Sequence, residues 1–199
     1  MFNVWFGPSA TRGQSLEKAF QFAEKAKALD DKAWGGPAAL GHAYLLKRDY
    51  EKAISEGKLA TELSPNSSMA ASHLGWTLRS VRRYEEAIKE YERALRLDPF
   101  NYYTATQIGT TYLMMGRFEE SISTCKKALE GNFRNLAAHL TLAMAYSSSD
   151  KMDEARAAAS DVLKISPNFS VEHFATALPF KYEEDRVFMA DALRKAGLK

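Results

Sequence analysis

Only one cysteine, Cys125, occurs in the 199 residues, so no disulfide can close within the chain. That composition fits a reducing cytoplasm, where thiols stay reduced. No stretch approaches the run of some eighteen apolar residues that a membrane-spanning helix needs. The opening MFNVWFGPSATRGQ puts no basic segment ahead of an apolar core and does not read as a secretory signal. Charge of one sign is lacking too. The 27 Lys and Arg against 25 Asp and Glu leave +2, too little to select nucleic acid or an acidic membrane as partner. The eleven glycines are scattered and form no phosphate-binding loop. His42, His73, His139 and His173 show no HExxH or similar ligand spacing. The balance of 46% hydrophobic and 26% charged residues is that of a soluble globular protein with a sizeable core.

What is present is a period. RRYEEAIKEYERALRLDPFN has counterparts 34 residues to either side, RDYEKAISEGKLATELSPNS and GRFEESISTCKKALEGNFRN. Gly41, Gly75 and Gly109 stand 34 apart, with Ala143 in the next place, and each follows an apolar residue, Leu40, Leu74, Ile108 or Leu142. Three residues further on come Tyr44, Leu78, Tyr112 and Tyr146. A second set of small residues, Ala53, Ala87, Ser121 and Ala155, is followed seven places later by Ala60, Ala94, Ala128 and Val162. Pro65, Pro99 and Pro167 close the period, and Phe133 is the one departure.

This is the pattern of paired helices that cannot bury their apolar faces alone and stack on their neighbours. Gly or Ala lets helix backbones approach, and Tyr or Leu fills the space beside them. Pro at the boundary lacks an N–H and restricts the residue before it, so each second helix ends there. At the third boundary Gly131 is expected to supply a left-handed stop instead. Glu85-Glu86, Glu119-Glu120 and Asp153-Glu154 recur where second helices begin, and read as first-turn acids favoured by the helix dipole. Cys125 takes the place of Tyr91 one repeat later, a packing position that predicts an inert buried thiol. His139 likewise reads as packed or half-buried.

These residues resemble the tetratricopeptide repeat over four consecutive copies, at 34–67, 68–101, 102–135 and 136–169. The family's Trp is replaced by Pro37, Ala71, Ala105 and His139. The fold expected is all-α, a right-handed αα-superhelix. Residues 1–33 read as a partial N-terminal repeat. Gly7 and Ala19 keep the register there, Pro8 and Gly13 damage the first helix, and Ser15 is a candidate cap for SLEKAFQFAEKAKALD. The damaged start suggests that Met1 is not a natural beginning. Residues 170–199 read as capping helices, with Pro179 stopping SVEHFATAL and EEDRVFMADALRKAGL following. The opening SLEKAFQFAEKAKALDD and this closing segment also look like the repeat region of bacterial class III adenylate/guanylate cyclase-type signalling proteins. On that resemblance a catalytic domain would lie upstream.

The tetratricopeptide resemblance implies a protein or peptide ligand on the face made by the first helices. The second, fifth, ninth, twelfth and thirteenth places of each repeat give twenty residues, of which Arg79 alone is formally charged. Roughly five would be expected from average composition. Candidate partner-binding residues are His42, Leu45, Met69, His73, Trp76 and Arg79, then Tyr103, Gln107, Thr110, Met114, Leu140 and Met144, with Trp76 and Tyr103 as anchors. The family's carboxylate clamp is absent, because its places hold Ala38, His42, His73, Tyr103 and Gln107. The expectation is a non-enzymatic scaffold without cofactor or metal, binding a protein segment in an uncharged, partly apolar groove. The alternative is a self-associating or regulatory module of a larger signalling protein such as a nucleotide cyclase. A metal enzyme using His42 and His73 is the weakest reading. Nucleic acid is not expected as a partner, because basic residues such as Arg82, Arg83 and Arg93 interleave with Glu85, Glu86 and Glu90; nor is a membrane, because stacking already accounts for the apolar helix faces.

Overall fold

The computed structural model describes residues 9–199, with side chains from residue 13 onward. The damaged first helix expected around Gly7 and Pro8 lies outside the described residues. Among these there are eleven helices and no strand: α1 Ser9–Leu29, α2 Gly35–Leu46, α3 Tyr50–Leu63, α4 Ser68–Arg79, α5 Tyr84–Leu97, α6 Tyr102–Met114, α7 Phe118–Gly131, α8 Leu136–Ser148, α9 Met152–Ile165, α10 Val171–Ala177 and α11 Glu183–Lys195. They fall into two compact units. The first runs to Leu97 and includes Pro179–Lys181, and the second comprises Asp98–Leu178 and Tyr182–Lys199. Within the first, each of α1 to α4 packs on the helix that follows it, and α2 also touches α4. Within the second, α6, α7, α8 and α9 pack in order, α6 touches α8, and α11 covers part of α8.

Each first helix ends in the same hydrogen-bonded turn. The N–H groups of Asp49, Arg83, Arg117 and Lys151 donate to the carbonyls of Tyr44, Leu78, Tyr112 and Tyr146 at 2.9, 3.0, 2.9 and 2.9 Å. This six-residue closure needs a left-handed residue just before the donor. It is found at Arg48 (φ 62°), Arg82 (φ 63°), Gly116 (φ 73°) and Asp150 (φ 59°), again 34 residues apart. Helix starts are capped with the same period. The side chains of Ser67, Asn101 and Asn135 accept from the N–H groups of Ala70, Thr104 and Ala138 at 3.1, 3.0 and 3.3 Å. The paired acids do stand in the first turns of α5, α7 and α9. Glu86 and Glu120 there accept from Arg83 and Arg117.

The small residues at the helix crossings have concrete contacts. A methyl group added at Gly75 would stand 2.8 Å from the Tyr91 ring and 3.1 Å from the Ala87 carbonyl oxygen. At Gly109 it would meet Cys125 Sγ at 2.5 Å and the Ser121 carbonyl oxygen at 3.3 Å. At Gly41 it would lie 3.2 Å from the Ala53 carbonyl oxygen and 3.3 Å from the Gly57 nitrogen. Tyr91, Cys125, Ala53, Ala87 and Ser121 are all fully buried.

Two expectations at helix ends are corrected. Ser15 is not a cap, because α1 already begins at Ser9 and runs through Gly13; one helical glycine costs only about 1 kcal/mol. Gly131 is not a left-handed stop. It ends α7 itself, without a positive φ, and Asn132 caps the helix at φ −149°, ψ 86°. Its lack of a side chain serves packing instead, because an added methyl would overlap the Tyr102 ring.

Two substitutions test this account. A methyl at Gly36 would lie 2.7 Å from both N and Cα of Lys27, backbone atoms of the packed helix α1. Gly36→Ala is expected to cost about 1–3 kcal/mol, read as a lower urea midpoint. Gly116 has open space around it, so Gly116→Ala tests the left-handed turn alone. The expected loss is about 1 kcal/mol, and an unchanged midpoint would contradict it.

Candidate functional site

In the first unit α2 and α4 lie side by side, and this brings His42, His73 and Trp76 together. The His42 ring meets Trp76 edge to face at 4.5 Å between centroids and 84° between planes. It meets His73 at 5.3 Å and 68°. Beside them is a cavity of about 10 Å³ lined by Ala38, Gly41, His42, Gly57, His73, Trp76 and Thr77. Gly57 forms part of its wall. It occupies the second-helix place that Tyr91 and Cys125 fill in later repeats. A volume of this size holds one water at most, so it is not a ligand pocket.

Burial, with the neighbouring His73 adding to it, pushes the His42 imidazole down to about 3. Burial also lowers His73. Both rings are therefore neutral at ordinary pH, and His73 Nδ1 is buried with no hydrogen-bond partner among the described residues. No group of three or more His, Cys, Asp or Glu is placed to hold a metal ion among the described residues.

The remaining candidates of this unit divide by exposure. Leu45 and Arg79 are buried, while Met69 on the first turn of α4 is 56% exposed. In the second unit Tyr103 is 58% exposed and Met114 half-buried, whereas Gln107, Thr110, Leu140 and Met144 are buried. Among the buried polar side chains, threonines and an asparagine join neighbouring helices. Thr110 and Thr141 share a hydroxyl hydrogen bond at 2.9 Å, and Asn135 Nδ2 donates to Thr106 Oγ1 at 2.8 Å. Ser147 Oγ donates to the Ala192 carbonyl at 2.8 Å, tying α8 to α11. Cys125 is sealed in, and burial raises its thiol to about 12 against a small opposing hydrogen bond with Thr141. His139 is buried and its Nε2 lies 2.9 Å from the Phe133 carbonyl oxygen.

Sequence reasoning missed Asn135, Thr106 and Thr141 as a network. Its one signal is the 34-residue spacing of Ser67, Asn101 and Asn135. No described helix is long and apolar enough to cross a membrane.

Comparison with known proteins agrees with this helix pairing. A tetratricopeptide-repeat profile matches residues 39–102, and the profile of anaphase-promoting complex, cyclosome, subunit 3 matches residues 80–162. No curated protein matches the chain. Among solved structures, PilW, a widely conserved type IV pilus biogenesis factor, superposes with a TM-score of 0.73 at 19% identity, over 94% of this chain and 88% of that one. A thermophilic TPR protein of Thermus thermophilus gives 0.70 at 21% identity, over 94% and 93%. YrrB, described as a TPR protein with an unusual peptide-binding site, gives 0.57 at 21%, over 87% and 90%. At these identities the likeness is one of fold.

The neutral histidines make stability depend on pH. His42 is held below its ordinary value in the folded chain, so its contribution is full above about 6.5 and is lost as pH falls from there toward about 3. Each pH unit in that window costs up to about 1.4 kcal/mol. Urea midpoints between pH 7.5 and 5 should fall more steeply for the wild type than for His42→Phe.

Proposed function

We propose that this chain, a tetratricopeptide-repeat protein, is a scaffold that holds a segment of another protein against the uncharged, partly apolar faces of its first helices. One observation carries the reading. Arg79 is the only formal charge among the first-helix residues expected to face a partner, and it is buried. Met69 and Tyr103, by contrast, stand more than half exposed. Met and Tyr without neighbouring charge suit an apolar or amphipathic segment better than an acidic tail. Trp76, half-buried against His42, and Met114 supply further apolar surface in their own units. The likeness to YrrB, described as peptide-binding, points the same way. We assign the chain no catalysis of its own and no nucleic-acid or membrane partner. Its single cysteine fits a reducing cytoplasm, where we place it, and the cyclase-type resemblance points to a bacterial source.

A second reading has the same exposed residues in support. Met69 and Tyr103 would serve a second copy equally well, in a self-associating or regulatory module of a larger signalling protein. The cyclase-type resemblance of the opening and closing segments belongs to that reading.

The test uses benzophenone side chains introduced at Met69, at Tyr103, or at exposed Phe133 as a control, with light scattering behind size exclusion. Segment binding predicts that Met69 and Tyr103 yield adducts with the same foreign protein and Phe133 does not, from a monomeric chain. Equal labelling at all three positions would sink it. A dimer that weakens in Trp76→Ala with helicity unchanged would favour the second reading.

A further inference from the structure

Pro179, Phe180 and Lys181 are flanked in sequence by helices of the second unit, α10 and α11, yet they belong to the first unit. The chain on either side is extended, with Leu178 at φ −67°, ψ 126° and Tyr182 at φ −97°, ψ 132°. Phe180 is 1% exposed and is among the largest fully buried side chains. Pro179 is buried beside it, while Lys181 is exposed. The Lys181 N–H donates to the Ser80 carbonyl at 2.9 Å. Arg48 Nη1 approaches the Phe180 carbonyl at 3.5 Å, and the Lys181 ammonium lies 6.0 Å from the Tyr50 ring centroid.

This is how a receptor holds an extended peptide: a buried anchor ring, hydrogen bonds to both polar atoms of the peptide group that follows it, and a cation over an aromatic face. Proline suits the preceding place, since it is already extended and brings no N–H to satisfy. The receptor elements are the α2–α3 turn and the C-terminal end of α4. Arg48 is the left-handed residue of that turn, and Ser80 is C-cap to α4.

We propose that this end of the first unit is a recognition socket for a short extended Pro–aromatic–Lys segment, filled in cis by residues 179–181 and able to take the same motif from a partner protein in trans. The inference rests on the reading of the chain as a binder of protein segments and names the chemistry of one such segment. The internal segment competes at an effective concentration on the order of millimolar. A partner therefore sees only the fraction of sockets that stand open, and its apparent affinity falls by that fraction.

The experiment titrates a fluorescein-labelled peptide, TALPFKYEE, into the full chain as wild type, Phe180→Ala and Lys181→Ala, with far-UV circular dichroism confirming helicity. Phe180→Ala is expected to bind the peptide at least tenfold more tightly than wild type, and the peptide with Ala for Phe not at all. Lys181 is exposed, so Lys181→Ala keeps the test open if Phe180→Ala loses its fold; it is expected to bind more tightly than wild type by a smaller factor. Tyr50→Ala in either background should weaken binding. Equal binding by all variants, or binding that ignores the peptide's Phe, overturns the proposal. So does no binding above a scrambled peptide. A concentration-dependent wild-type dimer that vanishes in Phe180→Ala also overturns it, in favour of exchange between copies. If the peptide fails to bind, benzophenone adducts at Met69 and Tyr103 would leave segment binding standing while this socket falls.

Discussion

Everything in this chain hangs on how closely two helix backbones can approach at one point in each pair. Gly41, Gly75, Gly109 and Ala143 mark that point, and the distances around Gly75 and Gly109 show that no side chain larger than the one present fits without displacing a neighbour. Close approach lets the residue opposite vary: Gly57, Tyr91, Cys125 and Ala159 take the same second-helix place. Where it is Tyr, its ring is fully buried; where it is Gly, it lines a water-sized cavity. Packing at native density is met in each pair by a different division of volume between the two helices.

That constraint also decides where polarity goes. With the crossing closed by small residues, hydroxyl and amide groups on the first helices are drawn into pairing with the next helix, as at Thr110–Thr141 and Asn135–Thr106. A buried polar pair is stable only when both partners are satisfied. Such side chains fix helix register, and of the candidate residues Met69 and Tyr103 are the ones that stay outside. Apart from Arg79, formal charge in the four repeats is kept on the second helices and turns, in pairs such as Arg83 with Glu86 and Lys151 with Glu119.

The helix pairing was legible because it rests on a period, and a period of small residues and prolines survives in a single sequence. Helix ends were legible only where the stopping residue acts alone, as Pro65 and Pro99 do. Gly131 misled because glycine serves two purposes, and only the position of the Tyr102 ring tells which one applies. The left-handed turn residue was invisible at Arg48, Arg82 and Asp150, since nothing in their chemistry demands that conformation; Gly116 is the only hint of it. Of the candidate site, the scarcity of charge could be read directly. Which members are accessible could not, because Leu45, Thr110 and Met144 differ from Met69 and Tyr103 in their neighbours and not in their type. The socket of Phe180 joins residues 132 positions apart in the chain, and no local pattern encodes such a contact.

Cys125 has a practical consequence. Alkylating reagents react with the thiolate, and a thiol raised to about 12 presents roughly a thousandth of the thiolate of a free cysteine at neutral pH. Its sulfur is also sealed from solvent, and it is the only cysteine in the sequence. A cysteine placed anywhere on the outside would thus be the sole thiol that maleimide dyes or spin labels reach in the native state. The fold is ready-made for distance measurements from pairs of installed probes, with no native residue to remove first.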